Sequence, residues 1–406
     1  MRPFHVMLKP RGALCDLECA YCYYLRKEAL YPGSDFRMSD EVLEEFTRQY
    51  IESQLTPEVV FVWQGGEPTL MGLDFYRRAV QFQTQFAKPG MRILNTLQTN
   101  GASLDDEWCA FFRDQGFLIG ISVDGPRHLH DAYRVDKGGR PTYERTLRGL
   151  ELLRAHGVEF NVLTTVHAAN VAHPMEVYRH LRDDLGVTWL QFIPIVEPSP
   201  AGGPSHPVSE RSVTGREYGD FLVTIFDEWV REDVGTVFVQ IFDVALAAWS
   251  GHSPGLCVFE ETCGHALALE HNGDLYACDH FVEPEYRLGN VLRTELPVLA
   301  DDDRQRRFGR AKRDGLPQQC RSCEVRFVCN GGCPKNRILE TPEGEPGLNW
   351  LCEGYLAFFR HVDPAMRFMA AALRRRRPPS AIKEVLAAGS HPGLLEAYGP
   401  AGEVAS

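Results

Sequence analysis

From the N-terminus to about residue 235, short apolar runs alternate with stretches whose hydrophobic positions recur at helical spacing. The runs FHVML, VVFVW, RILNTL, FLIGISV, FNVLTTV and WLQFIPIV are close to continuously hydrophobic, as strands covered on both faces are. The first amphipathic stretch opens at Ser39, a good N-cap, and sets Val42, Leu43, Phe46, Tyr50 and Ile51 on one stripe. PTYERTLRGLELLRAHG and PMEVYRHLRDDLG repeat the pattern, and EYGDFLVTIFDEWVRED closes the series near residue 233. Six βα units predict a parallel sheet, either doubly wound or curled into part of a (β/α) barrel, and periodicity leaves both open. The unusual residues favour the barrel because they follow strand ends: a cysteine loop after the first, QGGEPT (64–69) after the second, QTNG (98–101) after the third and SVDGP (122–126) after the fourth. In barrels that face carries the active site.

Beyond the sixth strand, VEPSPAGGPSHPVSERS (196–212) opens a stretch, taken as 197–213, that reads as a surface loop. From about residue 236 the character changes. ALALEHNGDLYAC alternates apolar and polar positions around Asn272-Gly273, a hairpin signal, and cysteines crowd behind it. The organisation expected is a partial (β/α)6 TIM-like barrel over 1–235, a small cysteine-rich domain over 236–375 and a tail over 376–406. That tail is expected to be a poorly ordered extension with a short helix in it. The run Arg374 to Arg377, ahead of Pro378 and Pro379, reads as a solvated helix end.

Composition narrows the class. The chain has 406 residues, 44% of them hydrophobic, enough for a large core. A formal charge of −12 argues against a general binder of nucleic-acid backbones. There is no apolar run of membrane-spanning length and no apolar block in MRPFHVMLKPRGALC, so a cytoplasmic protein is expected. Twelve cysteines are many for a reducing compartment, where thiols do not persist as structural disulfides, and they point to metal or redox chemistry. Cys109, on the apolar face of a helix beside Phe112, reads as a small buried hydrophobe.

The first cysteines stand in CDLECAYCYY (15–24), as C-x3-C-x2-C. Three thiolates can hold three irons of a [4Fe-4S] cube and leave the fourth without a protein ligand, and an open position is how a metal site takes a reactant. A zinc site completed from elsewhere, or plain buried thiols, are the alternatives for the triplet alone. With the Gly-Gly-Glu-Pro segment and the βα series beside it, the chain resembles the radical S-adenosylmethionine (SAM) superfamily. The resemblance implies that Cys15, Cys19 and Cys22 hold the cluster, that SAM chelates its open iron, and that SAM is cleaved to a 5′-deoxyadenosyl radical. It further implies SAM contacts from Tyr21, Gly65, Gly66, Ser122, Arg134 and, more weakly, Val196. Arg134 suits a carboxylate because its planar fork bonds both oxygens.

Eight more cysteines follow residue 250: Cys257, Cys263, Cys278, Cys320, Cys323, Cys329, Cys333 and Cys352. From Cys263 they run C-x9-G-x4-C, then C-x2-C-x5-C-x3-C, then a final cysteine, which resembles the SPASM extension of radical SAM enzymes. The resemblance assigns Cys257, Cys263, Cys278 and Cys333 to one auxiliary [4Fe-4S] cluster and Cys320, Cys323, Cys329 and Cys352 to a second, three clusters in all. Structural zinc is the chemical rival for either set.

VWQGGEPTL, LQTNGASLD, ISVDGP, GVEFNVL, LQFIPIVEP and YACDHFVEPEYRLGNV together resemble the anaerobic sulfatase-maturating enzymes. Implied by that resemblance are an unfolded sulfatase polypeptide as substrate, an electron donor such as flavodoxin or ferredoxin, and oxidation of a cysteine or serine to Cα-formylglycine. Asp279, directly after Cys278, occupies the family's position for the base. Two other readings are carried forward. One is a SPASM maturase that crosslinks a ribosomal peptide through thioether or carbon-carbon bonds. The other is a non-catalytic iron-sulfur electron carrier, which would need neither an open cluster nor a SAM pocket.

Overall fold

The computed structural model describes residues 3–199, 207–389 and 392–398. Its strands are β1 (His5–Lys9), β2 (Glu58–Trp63), β3 (Arg92–Thr99), β4 (Leu118–Ser122), β5 (Phe160–Val166), β6 (Trp189–Pro194), β7 (Phe238–Val239), β8 (Ala266–Glu270), β9 (Asp274–Tyr276) and β10 (Arg287–Asn290), with β11 (Leu339–Glu340) and β12 (Pro346–Leu348) as a separate antiparallel pair. The six apolar runs thus become β1 to β6. The chain divides into two compact units, each assembled from separate stretches.

The first unit comprises Met1–Val123, His130–Asn161 and Thr262–Ala311. Its strands lie in the order β10-β9-β8-β1-β2-β3-β4. β1 to β4 are mutually parallel, and β8 joins β1 in parallel, with His5 opposite Ala266 and Lys9 opposite Glu270. The Asn272-Gly273 turn is the expected hairpin: Gly273 takes φ +86°, which a Cβ disfavours, and β9 runs antiparallel to both β8 and β10. The helix Asp40–Ser53 begins as the sequence indicates. Ser39 accepts a hydrogen bond from the Val42 N–H at 3.2 Å, and Val42, Leu43, Phe46, Tyr50 and Ile51 are all buried. Behind β2 and β3 the core is aromatic, with Phe46, Tyr50, Phe61, Trp63, Tyr76 and Trp108 in successive ring contacts. The buried polar atoms within it are paired: the Trp63 indole and Gln83 both donate to Asn95 Oδ1, and Asn95 donates back to Gln83. Cys109 is fully buried, and burial raises its thiol to about 11, so it behaves as the apolar filler expected.

The second unit comprises Asp124–Leu129, Val162–Glu261 and Lys312–Ser406. Its strands β5, β6 and β7 are parallel. The helix Gly215–Glu232 starts at Thr214 with a full capping box to Glu217. It packs against the 23-residue helix Cys352–Arg374 at a contact so close that a Cβ on Gly354 would stand 1.8 Å from the Gly215 carbonyl oxygen. PMEVYRHLRDDLG forms a helix over Pro174–Arg179 that widens to a π-helix over His180–Asp184.

Two expectations are corrected here. Among the tail's described residues, 376–389 and 392–398, there are two helices and not one, Ala381–Ala387 and Pro392–Tyr398, with Ile382, Leu394 and Tyr398 buried; residues 390–391 and 399–406 fall outside the described residues. The cause is apolar contact, since Tyr398 lies 5.9 Å from Phe226 and 5.4 Å from His361, ring to ring. The 197–213 stretch is not wholly surface either. Residues 200–206 fall outside the described residues, but Glu197, Ser209 and Ser212 are buried, with Glu197 accepting from Arg211 at 2.8 Å and Ser209 at 2.8 Å. Arg374 to Arg377 are exposed at a helix end, as expected.

In the helix Gln240–Trp249, burial raises the Asp243 carboxyl to about 6. A carboxyl raised on folding costs stability progressively as pH rises from its unfolded to its folded value, in full above the latter, and costs nothing below its unfolded value. Asp243→Asn should therefore stabilise the protein at pH 7.5, by up to about 3 kcal/mol, and leave it unchanged near pH 4. Melting curves of the two proteins at both pH values check this.

Candidate active site

The cysteine loop leaves β1 through tight turns, Gly12 N–H to the Lys9 carbonyl at 2.9 Å and Leu14 N–H to Arg11 at 3.0 Å. It is then fastened on two sides. Glu18 N–H and Ala20 N–H donate to the carbonyls of Val135 and Tyr133, while the Gly66 and Glu67 N–H groups of the GGEP segment donate to Gly12 and Leu14 at 2.8 and 2.9 Å. The two glycines are what permit this second contact. A Cβ on Gly66 would stand 2.0 Å from the Leu14 carbonyl oxygen, and Gly65 takes φ +127° with its Cβ position 2.9 Å from the Gly12 carbonyl oxygen.

Glu67 locks the arrangement. Its Oε1 accepts from the Thr69 N–H and hydroxyl and from the Thr99 hydroxyl, and its Oε2 accepts from the Asn100 N–H at 2.8 Å. Burial raises its carboxyl to about 7 against these donors. Asn100 in turn donates to Asp16 at 2.7 Å and reaches Cys15 Sγ at 3.8 Å, where the Leu17 N–H also points, at 3.4 Å. QGGEPT, QTNG and the cysteine loop thus form one polar assembly. Sequence reading passed over Glu67 and Asn100, although both stand inside the motifs it singled out.

Of the SAM contacts expected, the structure gathers Tyr21, Gly65, Gly66 and Arg134 around this loop, with the Arg134 guanidinium 5.6 Å from the centre of the Tyr21 ring. Ser122, at the end of β4, accepts from Gln98 at 3.0 Å beside the QTNG turn. Val196 is buried two residues beyond β6 in the second unit.

Asp279 follows Cys278 at the start of a single 3-10 turn and is buried. The Lys9 ammonium is in ion-pair contact with its Oδ1, and the Tyr23 hydroxyl donates to its Oδ2. Burial by itself would raise the carboxyl; the positive charges of Lys9 and His280, with the Lys9 and Tyr23 hydrogen bonds, outweigh it and hold the group at about 2. Lys9 and Tyr23 were not singled out from sequence. The signal available was a lysine ending a buried strand, FHVMLK, where a charge needs a partner.

All twelve cysteines are free thiols. In the second unit Cys320, Cys323, Cys329 and Cys352 are neighbours. Cys320 and Cys352 share a cluster with Leu316, Leu339 and Leu348, and burial followed by the proximity of Cys352, Cys320 and Cys323 raises the Cys329 thiol to about 12. A buried thiol so disfavoured as an anion becomes a thiolate only against a cation, and four neighbouring thiols are the donor type of a fully ligated cluster; among the described residues no group of three or more His, Cys, Asp or Glu side chains is already drawn together as a metal site. At the loop of the first unit, the donors at Cys15 Sγ and the three cysteines facing no disulfide suit a cluster with an open iron. Cys263 and Cys278 lie in the first unit, and Cys257 and Cys333 in the second. Cys333 stands beside the cations Lys335, Lys312 and Arg337, which partly offset its burial.

Residues 10–181 match the radical SAM superfamily, and residues 257–324 match the SPASM iron-sulfur cluster-binding domain. Fold and site together define a radical SAM protein: an α/β chain with a mostly parallel sheet, a partial (β/α)6 barrel and an iron-sulfur SPASM domain. The chain belongs to the anaerobic sulfatase-maturating enzymes. It is 46% identical to a serine-type anaerobic sulfatase-maturating enzyme of Bacteroides thetaiotaomicron, over 96% of each chain. It is 29% identical to a cysteine-type enzyme of Clostridium perfringens, over 90% of this chain and 98% of that one. A solved structure of native anSMEcpe, with bound AdoMet and the Cp18Cys peptide, matches with a TM-score of 0.81 at 29% identity, over 91% of this chain and 99% of that one. Among the described residues no helix is long and apolar enough to cross a membrane.

Proposed function

We propose that the protein oxidises a seryl side chain of an unfolded sulfatase segment to Cα-formylglycine, with cysteine as a second substrate. The observation that carries this reading is the 46% identity to a serine-type relative over 96% of both chains, against 28% and 29% to cysteine-type relatives. Cys15, Cys19 and Cys22 would hold the open cluster, Gly65, Gly66, Ser122, Arg134, Tyr21 and Val196 would hold SAM, and the two later sets of four cysteines would hold auxiliary clusters. When bound, these groups supply the radical that takes a hydrogen atom from the substrate Cβ and the acceptor for the electron left behind.

Asp279 takes the hydroxyl proton, completing the loss of one hydrogen atom, one proton and one electron that turns an alcohol into an aldehyde. A carboxylate held at about 2 is a weak base, yet it suffices. As the electron leaves, the hydroxyl becomes that of a protonated aldehyde, a far stronger acid than an alcohol. The Lys9 ammonium and Tyr23 hydroxyl keep Asp279 ionised and ready as an acceptor. An external electron donor, such as a flavodoxin or ferredoxin, and a cytoplasmic setting belong to the same reading.

Anaerobic incubation with SAM, reductant and matched serine and cysteine peptides tests it. Mass spectrometry should find an aldehyde in both, faster with serine. A crosslinked precursor peptide alongside untouched sulfatase peptides would instead favour the crosslinking maturase. For the cofactors, reconstituted protein should carry about 12 irons per chain and little zinc, and Cys15, Cys19 and Cys22 changed together to Ala should remove about four of them. Zinc retained at one equivalent after anaerobic purification would overturn the assignment of that set.

A further inference from the structure

The Asp279 carboxylate is gripped at both oxygens by residues from two distant parts of the chain. Lys9 is the last residue of β1, and Tyr23 stands next to Cys22 at the end of the cysteine loop. With its own turn after β9, the carboxylate is fixed from three directions.

The groups that grip it are themselves held. The Lys9 ammonium lies 4.5 Å from the centre of the Tyr24 ring, a cation-π contact, and the Tyr24 hydroxyl donates to Glu270. Glu270 stands opposite Lys9 in the β1–β8 register, faces His271 Nδ1 at 3.1 Å, and His271 Nε2 lies 2.7 Å from Ser34 Oγ. The Tyr23 ring meets Tyr24 edge-on at 5.7 Å and His280 at 5.3 Å. Cys22 and Tyr23 pack on the buried cluster of Ala13, Tyr24, Ala268, Tyr276 and Val282. Consecutive residues therefore have distinct tasks: beside Cys22, Tyr23 holds the base and Tyr24 is the platform for the base's counter-ion.

A plain stabilising brace is the alternative, and it accounts poorly for this design. Burying a lysine and an aspartate costs much of what their attraction returns, and apolar side chains of similar volume commonly fill such a space as well. What apolar filling does not supply is direction.

We propose that Lys9 and Tyr23 are positioning residues for the oxidation, fixing the direction in which Asp279 receives the substrate proton and tying that direction, through Tyr23, to the loop of Cys15, Cys19 and Cys22. The proposal rests on the reading that Asp279 is the proton acceptor. Neither residue takes part in hydrogen-atom abstraction, so their loss uncouples that step from product formation.

The test compares Tyr23→Phe, which removes one hydroxyl and keeps the ring, and Lys9→Met, which keeps the stem and removes the charge, with Asp279→Asn. The substrate is a serine peptide deuterated at Cβ. For Tyr23→Phe, iron per chain, peptide KM and deuterium transfer into 5′-deoxyadenosine should stay within about twofold of wild type, while formylglycine per 5′-deoxyadenosine falls about tenfold; for Lys9→Met that ratio should fall by about 100-fold. Should Lys9→Met fail to fold, Tyr23→Phe carries the test alone. An unchanged ratio in Tyr23→Phe, or a loss of product that tracks loss of iron, overturns the proposal while Asp279→Asn still uncouples. If Asp279→Asn itself leaves the ratio unchanged, the base assignment falls and the positioning proposal with it.

Discussion

Asp279→Asn is expected to slow formylglycine formation by about 10² to 10⁴ while leaving iron content and SAM binding intact. The substitution keeps the size of the side chain and its hydrogen bond from Tyr23, but an amide cannot accept the substrate proton at neutral pH. It also leaves the buried Lys9 ammonium without its counter-charge, so some loss of stability accompanies the loss of rate. The two are separable. A brace would lose iron and activity together, whereas a base would lose product formation and keep reductive SAM cleavage, because hydrogen abstraction precedes proton transfer. Iron analysis, 5′-deoxyadenosine yield and aldehyde yield on one preparation decide between them. Full iron with near-normal turnover would remove Asp279 from the mechanism and direct the search to other polar groups near the cysteine loop.

Gly66→Ala should abolish SAM cleavage and lower iron by about four per chain. The added methyl would lie 2.0 Å from the Leu14 carbonyl oxygen, one residue before Cys15, and its other near neighbours are backbone atoms of Ala13 and Leu14. Overpacking against movable side chains typically costs about 1–3 kcal/mol. Here no side chain can swing aside, so the GGEP segment and the cysteine loop must separate, breaking the Gly66–Gly12 and Glu67–Leu14 hydrogen bonds and withdrawing Glu67 from Asn100. The cysteines numbered 257 and above stand outside this contact, and their iron should remain. Retention of all iron with normal SAM cleavage would show that the two segments need not touch. Gly72→Ala is a suitable comparison: its Cβ would meet open space, although its φ of +81° makes the backbone strained.

Strand positions were readable because strands buried on both faces write their burial directly into the sequence, as FNVLTTV and VVFVW do over β5 and β2. Ser39 and the Asn272-Gly273 turn were readable because capping and positive φ are local requirements. The grip on Asp279 was not. Lys9 and Tyr23 reach it across more than 250 residues of sequence, and nothing in the neighbourhood of either announces the partner. The parallel pairing of β8 with β1, which brings Glu270 opposite Lys9, was hidden for the same reason: a hairpin signal speaks for its own two strands only. The π-helical turn at His180–Asp184 and the second tail helix went unread because helical spacing neither distinguishes one wide turn nor says which surface will cover a short apolar stripe. The superfamily was legible through the resemblance carried by the cysteine loop and the Gly-Gly-Glu-Pro segment, and the match over residues 10–181 bears that out. What each glycine of that segment touches became visible only in three dimensions.

The backbone contact of Gly354 with Gly215 bears on the order in which the protein can be completed during synthesis. Cys352 opens the helix whose third residue is Gly354, so its place depends on the docking of that helix on Gly215–Glu232 as well as on Asn349, which accepts from the Cys352 N–H and donates to the carbonyls of Gly331 and Cys333. On the ligand set proposed above, a ribosome that has released Cys320, Cys323 and Cys329 would have supplied three of four ligands, and the set would close only when the helix Cys352–Arg374 emerges and settles. The loop of Cys15, Cys19 and Cys22 is completed earlier, once Ala268, Tyr276, Val282 and Asp279 have emerged to pack on Cys22 and Tyr23. Occupancy of the proposed late site would thus mark a chain whose helix Cys352–Arg374 had docked, and iron-sulfur clusters would be spent there only on such copies.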